Sequence, residues 1–207
     1  MRTLAKELTW LGYFLLHPLS GFWELKREKR GSMRTGGLLL ALYCLVTLAS
    51  AWFTSYMFNP YETLEIQAAR VVLPGLVLYL LWCIASWCLT SLFDGEGSFL
   101  DICVATAYAL LPLLIVQTLL IGLSYVMTMD EGALYTLVQT LGYIWTGFLL
   151  FTGTMVTQQY TFSKSLLICV CTLLGMCVIV YIALLFTGLL QQMLGFAAGL
   201  YNEWILR

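Results

Sequence analysis

Long apolar runs dominate the chain and are separated by short polar stretches. Five runs contain no charged residue and reach the length of about 20 residues that a spanning helix needs; they are residues 35–58, 71–93, 102–129, 132–156 and 165–187. Each run must be helical, because a lipid bilayer offers no partner to open backbone groups. The pattern therefore predicts an all-α, polytopic membrane helical bundle with five transmembrane helices.

Both ends of the chain show helical periodicity with a polar face. Residues 3–16 place leucines on one side, and Phe22 and Trp23 continue the aromatic character that is typical of a membrane interface. In residues 188–207 the apolar positions recur at helical spacing, opposite Gln191, Gln192, Asn202 and Glu203. These patterns predict amphipathic interfacial helices at the N-terminus and the C-terminus.

The domain organisation follows from these patterns. Residues 1–34 are expected to form a cytoplasmic, amphipathic and basic N-terminal segment. Residues 35–187 form the five-span membrane domain, and residues 188–207 form the amphipathic C-terminal helix.

Composition supports a membrane protein and excludes other classes. Of the 207 residues, 61% are hydrophobic and 10% are charged, whereas soluble domains carry about 25% charged residues. The mean hydropathy is +0.88. So few charges cannot cover the surface of a soluble globule, which excludes a soluble enzyme and a nucleic-acid-binding protein.

Basic residues are concentrated near the N-terminus, where residues 1–34 hold most of the 10 lysines and arginines. The positive-inside rule places this segment in the cytoplasm, and five spans then place the C-terminus outside. The basic cluster at residues 26–30 is also expected to attract anionic lipid headgroups.

The residues that catalysis or metal binding needs are scattered. The one histidine, His17, precedes every apolar run, so a buried Ser–His pair is not expected. No acidic residue lies within the core of a run, and the seven cysteines form no C-x-x-C pair. The sequence predicts no enzymatic activity, no catalytic residue, no metal and no cofactor.

Residues 93–101, which we call the acidic turn, join the second and third runs. The two glycines of this segment predict a tight turn, and Ser98 with Asp101 predicts a capping box at the start of the third span. The carboxylates could attract a divalent cation, but the segment lacks the length and ligand count of a calcium loop. Its candidate interaction residues are Asp94, Gly95, Glu96 and Gly97.

Three residues within the runs affect helix geometry or packing. Pro112, in the middle of the third run, predicts a kink near Tyr108, because proline removes one backbone hydrogen bond. Pro74 is expected in the first turn of the second helix, where a missing N–H costs little. Gln117 lies deep in the third run and is expected to bond to a neighbouring helix.

The order of several motifs resembles the Ypt-interacting-protein (Yip) domain family, in particular its short bacterial members. The N-terminal part of this resemblance is the motif His17-Pro18-x-x-Gly21-Phe22-Trp23, and a glycine-rich acidic turn follows. The third run is similar to the family pattern G-Y-x-x-x-P through Tyr108 and Pro112, with Ala107 in place of the glycine. The resemblance extends from His17 to the end of the fifth run.

The resemblance implies a five-span membrane protein without an assigned reaction. Eukaryotic relatives work in the early secretory pathway, associate with Rab-type GTPases and carry a long cytosolic N-terminal region. Because only residues 1–34 precede the first run, the GTPase role is not carried over. The bacterial members resemble accessory membrane proteins, and the short N-terminal segment favours a bacterial cytoplasmic membrane as the location.

Three hypotheses for the function remain open at this stage. The first is a non-enzymatic scaffold or accessory protein that acts through a membrane-protein partner or a homo-oligomer, in contact with membrane lipids. The second is a small-solute or ion permease, or a transporter accessory subunit, motivated by the kinked third run, Gln117 and the Gln158-Gln159 pair. The third is a lipid-processing enzyme that uses basic residues 26–34, although this cluster is more simply a topology signal. The sequence favours the first.

Overall fold

The computed structural model of the chain describes part of its length in detail. The described residues are 12, 14–15, 17–27, 33–55, 58, 68–128 and 131–205, without the side chains of 197–200, 202–203 and 205. Within these ranges the secondary structure is helical and contains no strand. The all-α fold is confirmed, while most of the amphipathic helix expected at residues 3–16 lies outside the described residues.

The helices follow one another in the order α1 (Pro18–Arg27), α2 (Met33–Phe53), α3 (Ala68–Leu92), α4 (Phe99–Ala109), α5 (Leu111–Leu123), α6 (Gly132–Gln158) and α7 (Phe162–Ile205). Five segments are long and apolar enough to cross a membrane, with α4 and α5 together forming the third. The prediction of five spans is confirmed. The spans alternate in direction, so α1, the acidic turn and residues 159–161 meet at one end of the bundle, which we call the junction end.

The third span forms the centre of the bundle. In its most apolar window 56% of the residues are buried, and no other span exceeds 22%. Helix α4 contacts α2, α3 and α6, and α5 contacts α2 and α6. Small side chains make this close packing possible, and the buried alanines of α4 are Ala105, Ala107 and Ala109.

The predicted kink in the third span is confirmed as a break between α4 and α5. Helix α4 ends at Ala109, and Pro112 lies in the first turn of α5. The Leu110 N–H donates to the carbonyl of Ala107 at 3.3 Å, which tightens the last turn of α4. Proline is accepted at this place because the first N–H groups of a helix have no intrahelical acceptor.

Two other expectations within the spans have different outcomes. Gln117 makes the expected interhelical bond, because its Oε1 accepts from Thr47 Oγ1 at 3.4 Å. Pro74 lies inside α3 and not in its first turn, so that prediction is wrong. The reason is that α3 begins at Ala68, ahead of the charged Arg70 that was taken as the edge of the apolar run.

Helix α7 is one continuous helix of 44 residues. It passes through the expected boundary at residues 187–188 without a break, so a separate amphipathic C-terminal helix is not confirmed. The segment contains no proline, and Gln191 and Gln192 are good helix formers that leave a helix intact. Helix α7 packs against α3 and, to a smaller extent, against α6.

Candidate functional site

The acidic turn has a defined conformation between α3 and α4. Asp94 reverses the chain in the left-handed region, with φ at 53°, and the Gly95 N–H donates to the Thr90 carbonyl at 2.9 Å. The predicted capping box is confirmed, since Asp101 N donates to Ser98 Oγ at 3.3 Å and Ser98 N donates to Asp101 Oδ2 at 3.0 Å. The carboxylate of Asp101 therefore stabilises the start of α4.

Gln158 joins the acidic turn to the end of α6. Its side chain is only 1% exposed, and its Oε1 accepts from the Gly97 N–H at 2.9 Å. A Cβ at Gly97 would lie 2.8 Å from Gln158 Nε2, and a Cβ at Gly95 would collide with Gln158 Oε1. Both glycines are thus required by the close approach of the Gln158 amide.

Tyr160 and Lys164 join the acidic turn to α7. The Tyr160 hydroxyl donates to the Phe93 carbonyl at 3.2 Å, and Lys164 Nζ donates to the same carbonyl at 2.8 Å. These donors satisfy a carbonyl just beyond α3, and the lysine charge also suits the negative end of the helix dipole. Burial, together with the nearby Asp94 carboxylate, raises the pKa of Tyr160, so the hydroxyl stays protonated at neutral pH.

Lys26 joins α1 to the same place. Its Nζ donates to the Thr157 carbonyl at 2.7 Å and lies 3.8 Å from Glu96 Oε2. One side chain therefore contacts both the last turn of α6 and the acidic turn. The acidic turn is held from three sides, by α1, by the end of α6 and by the start of α7, and we call this arrangement the junction.

Aromatic packing anchors α1 against the spans. Phe14 and Phe22 are fully buried, with their ring centroids 4.7 Å apart, and Phe14 lies 5.6 Å from the Tyr108 ring. A Cβ at Gly153 of α6 would lie 3.0 Å from the Phe22 ring, so a glycine makes room for this ring. The Tyr108 hydroxyl donates to Thr35 Oγ1 at 3.2 Å, which links α4 to α2.

A small cavity lies beside Gln158, between α3, α4 and α6. Its polar lining includes Ser86, Thr106 and Thr154, and it has room for about one water molecule. Gln158 Nε2 is buried and has no hydrogen-bond partner among the described residues. In the described part of the chain no three His, Cys, Asp or Glu side chains come close enough to hold a metal ion.

A protein-family model, the Yip1 domain, matches residues 12–185 of the chain. The chain belongs to the Yip1 domain family. The match includes Phe14, the acidic turn, the break at Leu110 and Lys164, so every element of the junction lies within the domain. The resemblance stated from the motifs is confirmed. Neither the curated proteins nor the solved structures gave a match to the chain.

The structure brings some of the predicted residues of this Yip1 domain together and separates others. Gly21, Phe22 and Tyr108 meet around Phe14, while the acidic turn with Asp94, Gly95, Glu96 and Gly97 meets Gln158. Pro18 is the first residue of α1 and His17 directly precedes it, with the His17 carbonyl accepting from the Gly21 N–H at 2.9 Å. The remaining three predicted residues do not contact the junction. They are Trp23 on the outer side of α1, Pro112 at the break and Gln117 further into the third span.

The sequence motifs did not identify as a site the residues that hold the acidic turn of this Yip1 domain. Gln158 was noted, together with Gln159, as a reason for the permease hypothesis and not as a contact of the acidic turn, and Tyr160 was not noted. Lys164 is a single cation between the fourth and fifth runs, which is a signal that could have drawn attention to it. Contacts over 61 residues, such as that between Gly97 and Gln158, leave no trace in local spacing.

Proposed function

We propose that this Yip1-domain protein is a non-enzymatic membrane scaffold or accessory protein, and that it binds a membrane-protein partner through the acidic turn. The family and the five spans support the membrane assignment. The observation that carries the docking role is that the turn is held from three sides, while its carboxylates remain accessible. Asp94 is exposed, and the Glu96 side chain is 63% exposed even though it faces Lys26.

The energetics of binding favour this interpretation. A simple connection between two spans needs no buried glutamine and no cap from the next helix. A turn that is already ordered loses little conformational entropy when a partner binds, so more of the contact energy appears as affinity. Exposed carboxylates of one sign select a partner with a basic surface and increase the rate of association.

We also propose that the junction end faces the cytoplasm of a bacterial cell, with the far end of the bundle outside. Most of the described cations lie at the junction end, and these are Lys26, Arg27, Arg34 and Lys164. Arg70 lies at the opposite end. The positive-inside rule supports this orientation.

The permease alternative has less support from the contacts. Gln117, which motivated it, is already bonded to Thr47, and Gln158 is bonded to the acidic turn. The cavity beside Gln158 has room for about one water molecule. The proposal includes a role as the accessory subunit of a transporter, because the transporter bound as partner would then supply the permeation path.

Site-specific photo-crosslinking in native membranes tests the proposal. A photoreactive amino acid replaces Leu100, which is exposed near the end of the acidic turn, so that the carboxylates of Asp94 and Glu96 stay in place. The matched control carries it at Tyr125, which is exposed at the far end of the bundle. We expect a reproducible protein adduct from position 100 that decreases when Asp94 and Glu96 are replaced by lysine.

Two outcomes would contradict the proposal. One is an equal adduct from positions 100 and 125, since this would indicate random collision in the membrane. The other is an adduct at position 100 that is unaffected by the charge reversals of Asp94 and Glu96, because the carboxylates would then have no part in binding.

A further inference from the structure

Helix α1 lies beside the bundle at the depth of one lipid leaflet. Phe14 contacts Tyr108, which is nine residues beyond the start of the third span at Phe99, so the contact lies about 14 Å along that span. Phe22 packs over Gly153, five residues before the end of α6 and thus about 8 Å from that end. One leaflet contributes about 15 Å of hydrocarbon. When these spans cross a bilayer, Phe22 on the buried face of α1 and Phe14 just before α1 therefore lie at the height of one leaflet.

The opposite face of α1 has no partner within the described part of the chain. Leu19, Trp23 and Arg27 are four residues apart, so they form one stripe along the helix. Leu19 is 51% exposed and Trp23 is 50% exposed. The Arg27 guanidinium lies 5.0 Å from the centre of the Trp23 ring, which holds the cation over the aromatic face.

Two neighbouring cations of α1 thus have different surroundings. Lys26 points towards the junction, where it contacts the Thr157 carbonyl and Glu96. Arg27 is exposed on the outer stripe and carries its charge towards the surroundings of the bundle. The basic cluster is therefore divided, and one member is available to a ligand outside the protein.

We propose that the stripe of Leu19, Trp23 and Arg27 is a binding site for an anionic phospholipid. The Arg27 guanidinium donates to the phosphate, because its planar fork matches two phosphate oxygens. The Trp23 ring lies at the level of the headgroup and glycerol, where tryptophan is enriched, and Leu19 packs against the acyl chain. Lipid is the occupant because the stripe belongs to a helix at the height of one leaflet and ends in a cation that has no ion-pair partner among the described residues.

This site is independent of the partner proposed for the acidic turn. It depends on the membrane location of α1, and its residues are different from those that display the carboxylates. Loss of lipid binding with an intact protein adduct at the acidic turn, or the reverse, would tell the two proposals apart.

Native mass spectrometry of the purified full-length protein tests the site. The protein in mild detergent is titrated with phosphatidylglycerol or phosphatidylcholine, and wild type is compared with Arg27→Gln and Lys26→Gln. The two variants lose the same charge at adjacent positions. We expect Arg27→Gln to weaken phosphatidylglycerol binding about fivefold, Lys26→Gln to leave it unchanged, and phosphatidylcholine binding to be weaker and insensitive to both.

Equal weakening by both variants would overturn the proposal, because general charge attraction would explain it. Unchanged binding in Arg27→Gln would overturn it as well. A second measurement does not depend on the charge variants: brominated lipids in nanodiscs quench tryptophan fluorescence on contact. The Trp23 contribution, taken as the difference between wild type and Trp23→Phe, should be quenched more by brominated phosphatidylglycerol than by brominated phosphatidylcholine, and equal quenching would contradict a specific site.

Discussion

Replacing Gly95 by alanine is the most direct way to test how the junction is held together. A Cβ at this position would collide with Gln158 Oε1, would lie 2.7 Å from the Tyr160 hydroxyl and would lie 3.0 Å from Thr90 Cβ. The neighbours come from α3, α6 and the residues before α7, so movement of one side chain does not relieve the crowding. We expect the Gln158 amide to be displaced from the Gly97 N–H.

The expected loss of stability follows from two contributions. Overpacking of a tight site costs about 1–3 kcal/mol, and losing the net contribution of one hydrogen bond costs about 1 kcal/mol. The lower entropy of alanine in the unfolded chain returns about 0.5–1 kcal/mol. We therefore expect Gly95→Ala to lower the free energy of unfolding by about 1–3.5 kcal/mol, which for a chain of this size lowers Tm by roughly 2–14 °C.

The assay is thermal unfolding of purified protein in mild detergent, with hydrogen exchange of the acidic turn as a local measurement. Gly37→Ala is the matched control, because a Cβ at Gly37 of α2 meets nothing within 4 Å. The control should unfold at the wild-type temperature or slightly above it. If Gly95→Ala and Gly37→Ala unfold at the same temperature, and exchange of the acidic turn is unchanged, the argument that Gln158 holds the turn is refuted.

Three further changes test other parts of the junction. Phe22→Ala should create a cavity that costs about 3–5 kcal/mol and release α1, so hydrogen exchange of α1 should increase. Leu19→Ala, at an exposed position of the same helix, should leave this exchange unchanged. Equal exchange in the two variants would contradict the packing of Phe22. Gln159→Gly should raise Tm, since Gln159 has φ at 55° and glycine relieves about 1 kcal/mol of strain; a lower Tm would count against this. Tyr160→Phe should lower the free energy of unfolding by about 1 kcal/mol. Because the folded-state pKa of Tyr160 is raised from 10.0, the stability that its hydroxyl contributes should be constant below about pH 10 and decrease above it. A stability difference between wild type and Tyr160→Phe that changes between pH 6 and 9 would argue against a neutral hydroxyl donor.

Features of the fold that depend on local signals could be predicted from the sequence. Apolar length gave the five spans, Pro112 gave the break near Tyr108, and the S-x-x-D spacing gave the capping box at Ser98. In each case the physical cause acts within one helix turn or one bilayer crossing. The error at Pro74 has the same origin, because the run was delimited by charge, while the helix continues through Arg70 to Ala68.

The junction could not be predicted, because its contacts join distant parts of the chain. Phe22 and Trp23 are neighbours of similar character, and both were interpreted as interfacial aromatics. The structure buries Phe22 completely and leaves Trp23 half exposed, since only one of two adjacent helical positions can face Gly153. Lys26 and Arg27 are separated in the same way. The rotation of α1 about its axis decides these roles, and a single sequence does not give it.

The length of α7 has a consequence for how the protein fits its membrane. Its 44 residues extend over about 66 Å, whereas the hydrocarbon core of a bilayer is about 30 Å thick. At the usual tilt of about 20° a straight helix therefore crosses the bilayer and continues for several turns beyond it, to the exposed Tyr201 and Trp204. Bilayer thickness then determines how many apolar side chains, such as Leu194 and Phe196, meet water. Hydrophobic mismatch of this kind is met by tilting or by local thickening of the bilayer, so we expect the tilt of α7 to change with bilayer thickness.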